Sequence, residues 1–153
     1  METERKPEVE SAVRIIGGKE CILFVDDEEA LVQLGKGMLS GLGYEVIGRT
    51  SSTEALELFR ARPNRFGLVI TDMTMPNMTG VELAQELMRI RPDIPVILCT
   101  GFSETITPEK AKAIGFKDFI MKPLIRRQVA EAIRRVLDHK EGMIKDSVKW
   151  EKF

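Results

Sequence analysis

The amino-acid sequence predicts an α/β domain built on a doubly wound, five-stranded parallel sheet. Five short apolar runs, at about 21–25, 44–48, 67–71, 95–99 and 117–121, have the length and continuous hydrophobicity of strands buried on both faces. Apolar residues recur at helical spacing after each run, so five helices alternate with the strands. Side chains that carry chemistry also gather at one end of four runs: Asp26-Asp27, Asp72, Thr100 and Lys122-Pro123. In a parallel sheet the carboxyl ends of neighbouring strands form one rim, where such folds place their ligands.

The elements follow in order. Residues 1–19 are mostly polar, close on Gly17-Gly18, and are read as a flexible leader or linker. After the first strand, Ala30, Leu31, Leu34, Met38 and Leu42 make an inward helical stripe that Gly41 and Gly43 stop. Ser51-Ser52-Thr53-Glu54 has the pattern of a helix start, with Ala55, Leu58 and Phe59 inward and Pro63 beyond the end. Gly80 precedes a third helix that uses Ala84, Leu87 and Met88 and stops at Arg91-Pro92. Thr107-Pro108-Glu109 opens a short fourth helix, with proline in the first turn and Gly115 at its close. The fifth carries Ile125, Val129, Ile133, Val136 and Leu137 on one face. The domain is placed at residues 20–139, followed by a polar tail at 140–153.

Bulk properties exclude several classes. A chain of 153 residues holds one domain with a real core. Its net charge of −1 offers no global attraction for nucleic acid or an anionic membrane. No apolar run approaches the roughly 18 residues that span a bilayer. Met1 to Glu10 is charged and lacks an apolar signal core, so a cytoplasmic location is expected. Cys21 and Cys99 lie inside apolar runs and read as buried, reduced thiols. His139 is far from both, which leaves zinc without a ligand set.

The rim residues each have an ordinary explanation. Asp26 or Asp27 could cap the following helix, and Asp72 could start a turn before Pro76. Thr100 could be a cap and Lys122 a solvated charge. Capping accounts for one acidic residue after the first strand, not for a third carboxylate at the end of another. A carboxylate that attacks phosphorus needs its charge screened by a hard cation, and the incoming oxygens need donors. An ammonium and a hydroxyl meet the second need.

Together, Ile22-Leu23-Phe24-Val25-Asp26-Asp27-Glu28, Asp72-Met73-Thr74-Met75-Pro76 with Gly80, Thr100-Gly101, and Lys122-Pro123 resemble the receiver domain of two-component response regulators. The resemblance covers about residues 20–139 and implies the flavodoxin-like strand order 2-1-3-4-5 of chemotaxis-regulator-like proteins. It implies that Asp72 accepts a phosphoryl group from a histidine kinase or phosphotransfer protein. Asp26, Asp27 and Asp72 would hold Mg²⁺ (Mn²⁺ can substitute), with the backbone carbonyl of Thr74 completing the site. Thr100 would be the switch hydroxyl, Lys122 would pair with the phosphoryl group, and the Lys122–Pro123 peptide bond would be cis. Phe119 falls where the family has a rotating aromatic, here without a phenolic hydroxyl; plain strand core is the alternative.

Thr74 and Phe102 stand two positions after the acceptor and the switch hydroxyl, flanking the approach of water. Neither offers a carboxylate or amide to orient it, so slow dephosphorylation is expected. Gly17-Gly18-Lys19-Glu20 and Thr100-Gly101-Phe102 resemble receivers fused behind sensor histidine kinases. His139, in the last turn of a helix, is a poor phosphorylated histidine, so the chain is not read as a kinase. No DNA-binding output domain is expected after the fifth helix.

The implied module signals and does not turn over a substrate, apart from its own phosphorylation and dephosphorylation. Two competing classes are weaker. A haloacid-dehalogenase-type phosphohydrolase puts Asp-x-Asp after the first strand, where this chain has Asp26-Asp27-Glu28. A nucleotide-binding domain needs its glycines after the first strand, whereas Gly17-Gly18 precede it.

Overall fold

The computed structural model describes residues 17–101 and 106–138. The expectations for residues 1–16, Phe102, His139 and the tail at 140–153 lie outside the described residues. Strands β1 (Cys21–Val25), β3 (Leu68–Asp72) and β4 (Val96–Thr100) are buried along their whole length, as central strands covered on both faces must be. β2 (Glu45–Arg49) and β5 (Asp118–Met121) are the partly exposed edges. Every pairing is parallel, and the order is β2-β1-β3-β4-β5.

Alternation along the strands divides the core into two layers. Ile22 and Phe24 of β1 face α1 (Glu29–Gly41) and α5 (Arg126–Asp138), packing with Val32, Leu39, Val129 and Ile133. Leu23 and Val25 face the other way, toward α2 (Ser52–Ala61), α3 (Gly80–Ile90) and α4 (Pro108–Ile114), where Phe59, Leu83, Leu87 and Ala111 meet them. Local chemistry sets the helix starts. The hydroxyls of Ser51, Thr79 and Thr107 accept from the backbone N–H groups of Glu54, Glu82 and Lys110. Glu82 reaches back to the Thr79 N–H, which completes a capping box.

Three sequence expectations are corrected. The strands other than the first begin one residue later than expected, and β2, β3 and β4 also end one later. Backbone pairing runs on through polar rim residues, so Asp72 pairs with Cys99 and Thr100 with Met121. The buried stripe of α1 is Val32, Gly35 and Leu39, whereas Leu34 is 48% exposed. Gly35 lies on the Phe24 ring so closely that a Cβ there would sit 2.5 Å from it. Met38 and Leu42 do pack on the layer that holds Phe24, but glycine adds nothing to a hydrophobic periodicity, so the pattern alone points to Leu34 where Gly35 is buried. Ile125 precedes α5 and is 47% exposed; Ala130 and Ala132 take the buried positions instead.

At the amino end of β1, Arg134 of α5 holds the entering chain. It donates to the Gly17 carbonyl at 3.1 Å and pairs with Glu20 at 3.3 Å and Asp138 at 3.0 Å. The Gly18 N–H donates to the Leu42 carbonyl at 3.2 Å.

Candidate phosphoryl and metal site

The register of the sheet brings the rim residues together. Val25 pairs with Thr71, so Asp26 and Asp72 both emerge at the carboxyl ends of adjacent strands. Thr100 ends β4 beside them, and the Lys122 N–H donates to the Thr100 carbonyl at 2.7 Å, carrying the chain just past β5 over the same rim. The Lys122–Pro123 peptide is cis.

Asp26 and Asp72 are 3% and 6% exposed, and Asp27 is open to solvent. One carboxylate oxygen from each lies within 4.8 Å of the others. The Lys122 ammonium bridges the two buried carboxylates, 3.1 Å from Asp26 Oδ2 and 2.8 Å from Asp72 Oδ1. Asp26 Oδ1 accepts the Glu28 N–H at 2.9 Å. Neither aspartate sits at the cap position of α1, which Glu28 occupies without a side-chain cap. Capping therefore does not explain the pair.

The electrostatics follow from this geometry. Burial raises the pKa of Asp72 and Asp26 raises it further, while Lys122 opposes both. Burial alone would lower the pKa of Lys122, but Asp72 and Asp26 more than offset this, so its ammonium is held firmly protonated. The Cys99 thiol, paired in register with Asp72, is pushed up to about 12 by burial and is inert at neutral pH.

The loop after β3 is also built to a tight plan. Asn77 turns with φ 72°, and the Gly80 N–H donates to the Met73 carbonyl at 2.8 Å. A Cβ on Gly80 would lie 2.0 Å from the Asp72 carbonyl oxygen. The start of α3 is thus fitted directly against the Asp72 backbone.

Thr100 is 1% exposed, and its hydroxyl donates to Met73 Sδ at 3.9 Å and to the Gly101 carbonyl at 3.5 Å. Thr74 is exposed in the same loop. Phe119 is half-buried and packs on the core layer under α2, α3 and α4. Sequence reasoning missed Met73 as the partner of Thr100, and it missed the buried Asp118. Arg135 of α5 pairs with Asp118 at 2.8 Å. No periodicity or motif signals either contact.

Three carboxylates against one ammonium leave two negative charges uncompensated, and two of the carboxylates are largely removed from water. All-oxygen donors with that deficit suit a hard divalent cation such as Mg²⁺.

The family model described as the response regulator receiver domain matches residues 22–134. Among curated relatives, the chemotaxis protein CheY of Thermotoga maritima is 34% identical over 117 residues, covering 75% of this chain and 95% of that protein. The sensor kinase CckA of Brucella abortus is 30% identical over 137 residues, covering 90% of this chain but 14% of the kinase. The chain spans about half the length of other relatives that it matches at 37% identity. Among solved structures, a response regulator receiver domain protein from Clostridium thermocellum superposes with a TM-score of 0.76 at 32% identity, covering 81% of this chain and 98% of that one.

Proposed function

This chain belongs to the response regulator receiver domains of two-component signalling, and from that premise we propose that it accepts a phosphoryl group on Asp72 from a phosphohistidine of a kinase or phosphotransfer protein. The observation that carries the proposal is the buried Asp72–Lys122–Asp26 bridge with Asp27 beside it. Asp26, Asp27 and Asp72, with the backbone carbonyl of Thr74, would hold Mg²⁺ or Mn²⁺. When bound, the dication supplies the charge neutralisation that lets an anion approach three carboxylates.

A carboxylate oxygen of Asp72 attacks phosphorus. The P–O bond forms as the P–N bond to the donor imidazole breaks, and the electron pair and then a proton go to the imidazole nitrogen. Lys122 and the Thr100 hydroxyl supply donors to the phosphoryl oxygens, in a pocket where burial strengthens them. The added charge, about −1.5 to −2 near neutral pH, redirects Lys122 and Thr100. That is the evident route to β5, Phe119 and α4, where a partner surface would change. The domain, placed at residues 20–139, acts as a cytoplasmic switch and has no turnover of its own beyond gaining and losing the phosphoryl group. No helix among the described residues is long and apolar enough to cross a membrane.

Acetyl phosphate or beryllofluoride should modify Asp72 alone, and only with Mg²⁺ or Mn²⁺ present. Modification that persists in Asp72→Ala, or in chelator, would refute the assignment. Hydrogen exchange with and without beryllofluoride should change in α4 and β5; changes confined to α2 would contradict the proposed route.

A further inference from the structure

We propose that Met73 is a positioning residue for the switch hydroxyl, its thioether holding Thr100 in a resting rotamer that a phosphoryl oxygen must outcompete. The inference rests on the reading of Asp72 as phosphoacceptor. Thr100 is 1% exposed, so its hydroxyl proton has almost no access to water. Buried hydroxyls are nearly always hydrogen-bonded. This one meets Met73 Sδ at 3.9 Å and the Gly101 carbonyl at 3.5 Å. Sulfur is a weak acceptor, and the carbonyl contact is well beyond the usual O–H···O distance of about 2.5–3.0 Å. The hydroxyl is therefore occupied but loosely held.

The chain path makes Met73 the natural holder. It directly follows Asp72, and its carbonyl accepts the Gly80 N–H at 2.8 Å, which fixes the backbone from which the thioether extends. Its side chain packs against the core layer under α2, α3 and α4. One residue thus joins the phosphoacceptor backbone to the switch hydroxyl before any phosphate arrives. A charged oxygen is a much stronger acceptor than a thioether, so phosphorylation releases the contact and the resting state restores it. The bias is small by construction, because a strong resting acceptor would oppose the switch.

Met73→Leu keeps the bulk and removes the acceptor, whereas Met73→Gln keeps the length and supplies a stronger oxygen. Relaxing a resting bias raises apparent affinity by the gain in the competent fraction. With one weak neutral hydrogen bond at stake, beryllofluoride with Mg²⁺ should bind Met73→Leu about two- to five-fold more tightly than wild type. It should bind Met73→Gln more weakly. In a Thr100→Val background both differences should vanish.

Three-bond couplings from the Thr100 methyl carbon to backbone nitrogen and carbonyl carbon should report one dominant rotamer in metal-free wild type and averaging in Met73→Leu. A purely steric role would move the two Met73 variants in the same direction and leave the couplings unchanged, and either result overturns the proposal. If wild type does not bind beryllofluoride at all, the phosphoacceptor reading fails. The couplings then still decide whether Met73 orients Thr100, and an averaged wild-type rotamer would overturn that on its own.

Discussion

Replacing Asp72 with asparagine removes one charge from a cluster that holds a surplus, and the distances set the size of the effect. Two unit charges 4.8 Å apart, the upper limit among the three carboxylate oxygens, repel by about 3.5 kcal/mol at an effective dielectric of about 20. Buried Asp26 exerts about that much on Asp72. Exposed Asp27 exerts less, because solvent screens it. The Lys122 ammonium, 2.8 Å away, returns about 6 kcal/mol on the same basis. Repulsion and attraction therefore agree to within a few kcal/mol, and lost hydration, several kcal/mol for a buried ion, tips the balance against ionised Asp72. Its pKa is raised accordingly, with burial as the first cause.

The sign of the pH dependence follows. A carboxyl whose folded pKa lies above its unfolded value of about 3.9 stabilises the fold fully below that value. The contribution is lost as pH rises through the folded pKa, so at neutral pH ionised Asp72 destabilises the metal-free protein. Asp72→Asn should raise the unfolding free energy by about 1 kcal/mol at pH 7 in chelator. The gap should shrink as pH falls through the raised pKa and wild-type Asp72 takes up its proton. Mg²⁺ should reverse the order, since a ligand at 100 times its Kd adds about 2.7 kcal/mol to the protein that binds it. Urea unfolding of both proteins across this pH range, with and without Mg²⁺, is the assay. A variant less stable than wild type in chelator at pH 7, or a gap independent of pH, would refute the reasoning.

Gly80→Ala would set a Cβ 2.0 Å from the Asp72 carbonyl oxygen, against ordinary contact near 3.5 Å. It should destabilise the fold by about 2–4 kcal/mol and weaken Mg²⁺ binding, read by thermal unfolding and calorimetric titration. Arg134→Ala frees the Gly17 carbonyl and Glu20; a loss of about 1–2 kcal/mol is expected, with faster hydrogen exchange at the Gly18 amide as the specific readout. The phosphorylated protein should lose its label slowly. Thr74→Asn combined with Phe102→Glu should speed the loss, and wild-type decay faster than the double variant would contradict the argument from water positioning.

What was legible in the sequence was whatever depends on one element at a time. Burial on both faces makes β1, β3 and β4 continuous apolar runs, so strand identity and alternation could be read directly. Asp26, Asp27, Asp72, Thr100 and Lys122 could be set on one rim because parallel strands share a direction. The strand order itself came from the family resemblance, since nothing within a run says which neighbour it pairs with. The misread features depend on two elements meeting. Gly35 is buried because Phe24 needs its missing side chain, and a pattern of hydrophobes along α1 alone points to Leu34 instead. Met73 reaches Thr100 only because β3 and β4 pair in the register that sets Asp72 beside Cys99. A shift of one residue would turn those side chains to the opposite face of the sheet. The same dependence bears on function: the charge surplus at Asp72 arises from strands brought together by folding. On the proposed function, cation affinity and the cost of ionising Asp72 are one property of the assembled rim, and a change in either should appear in the other.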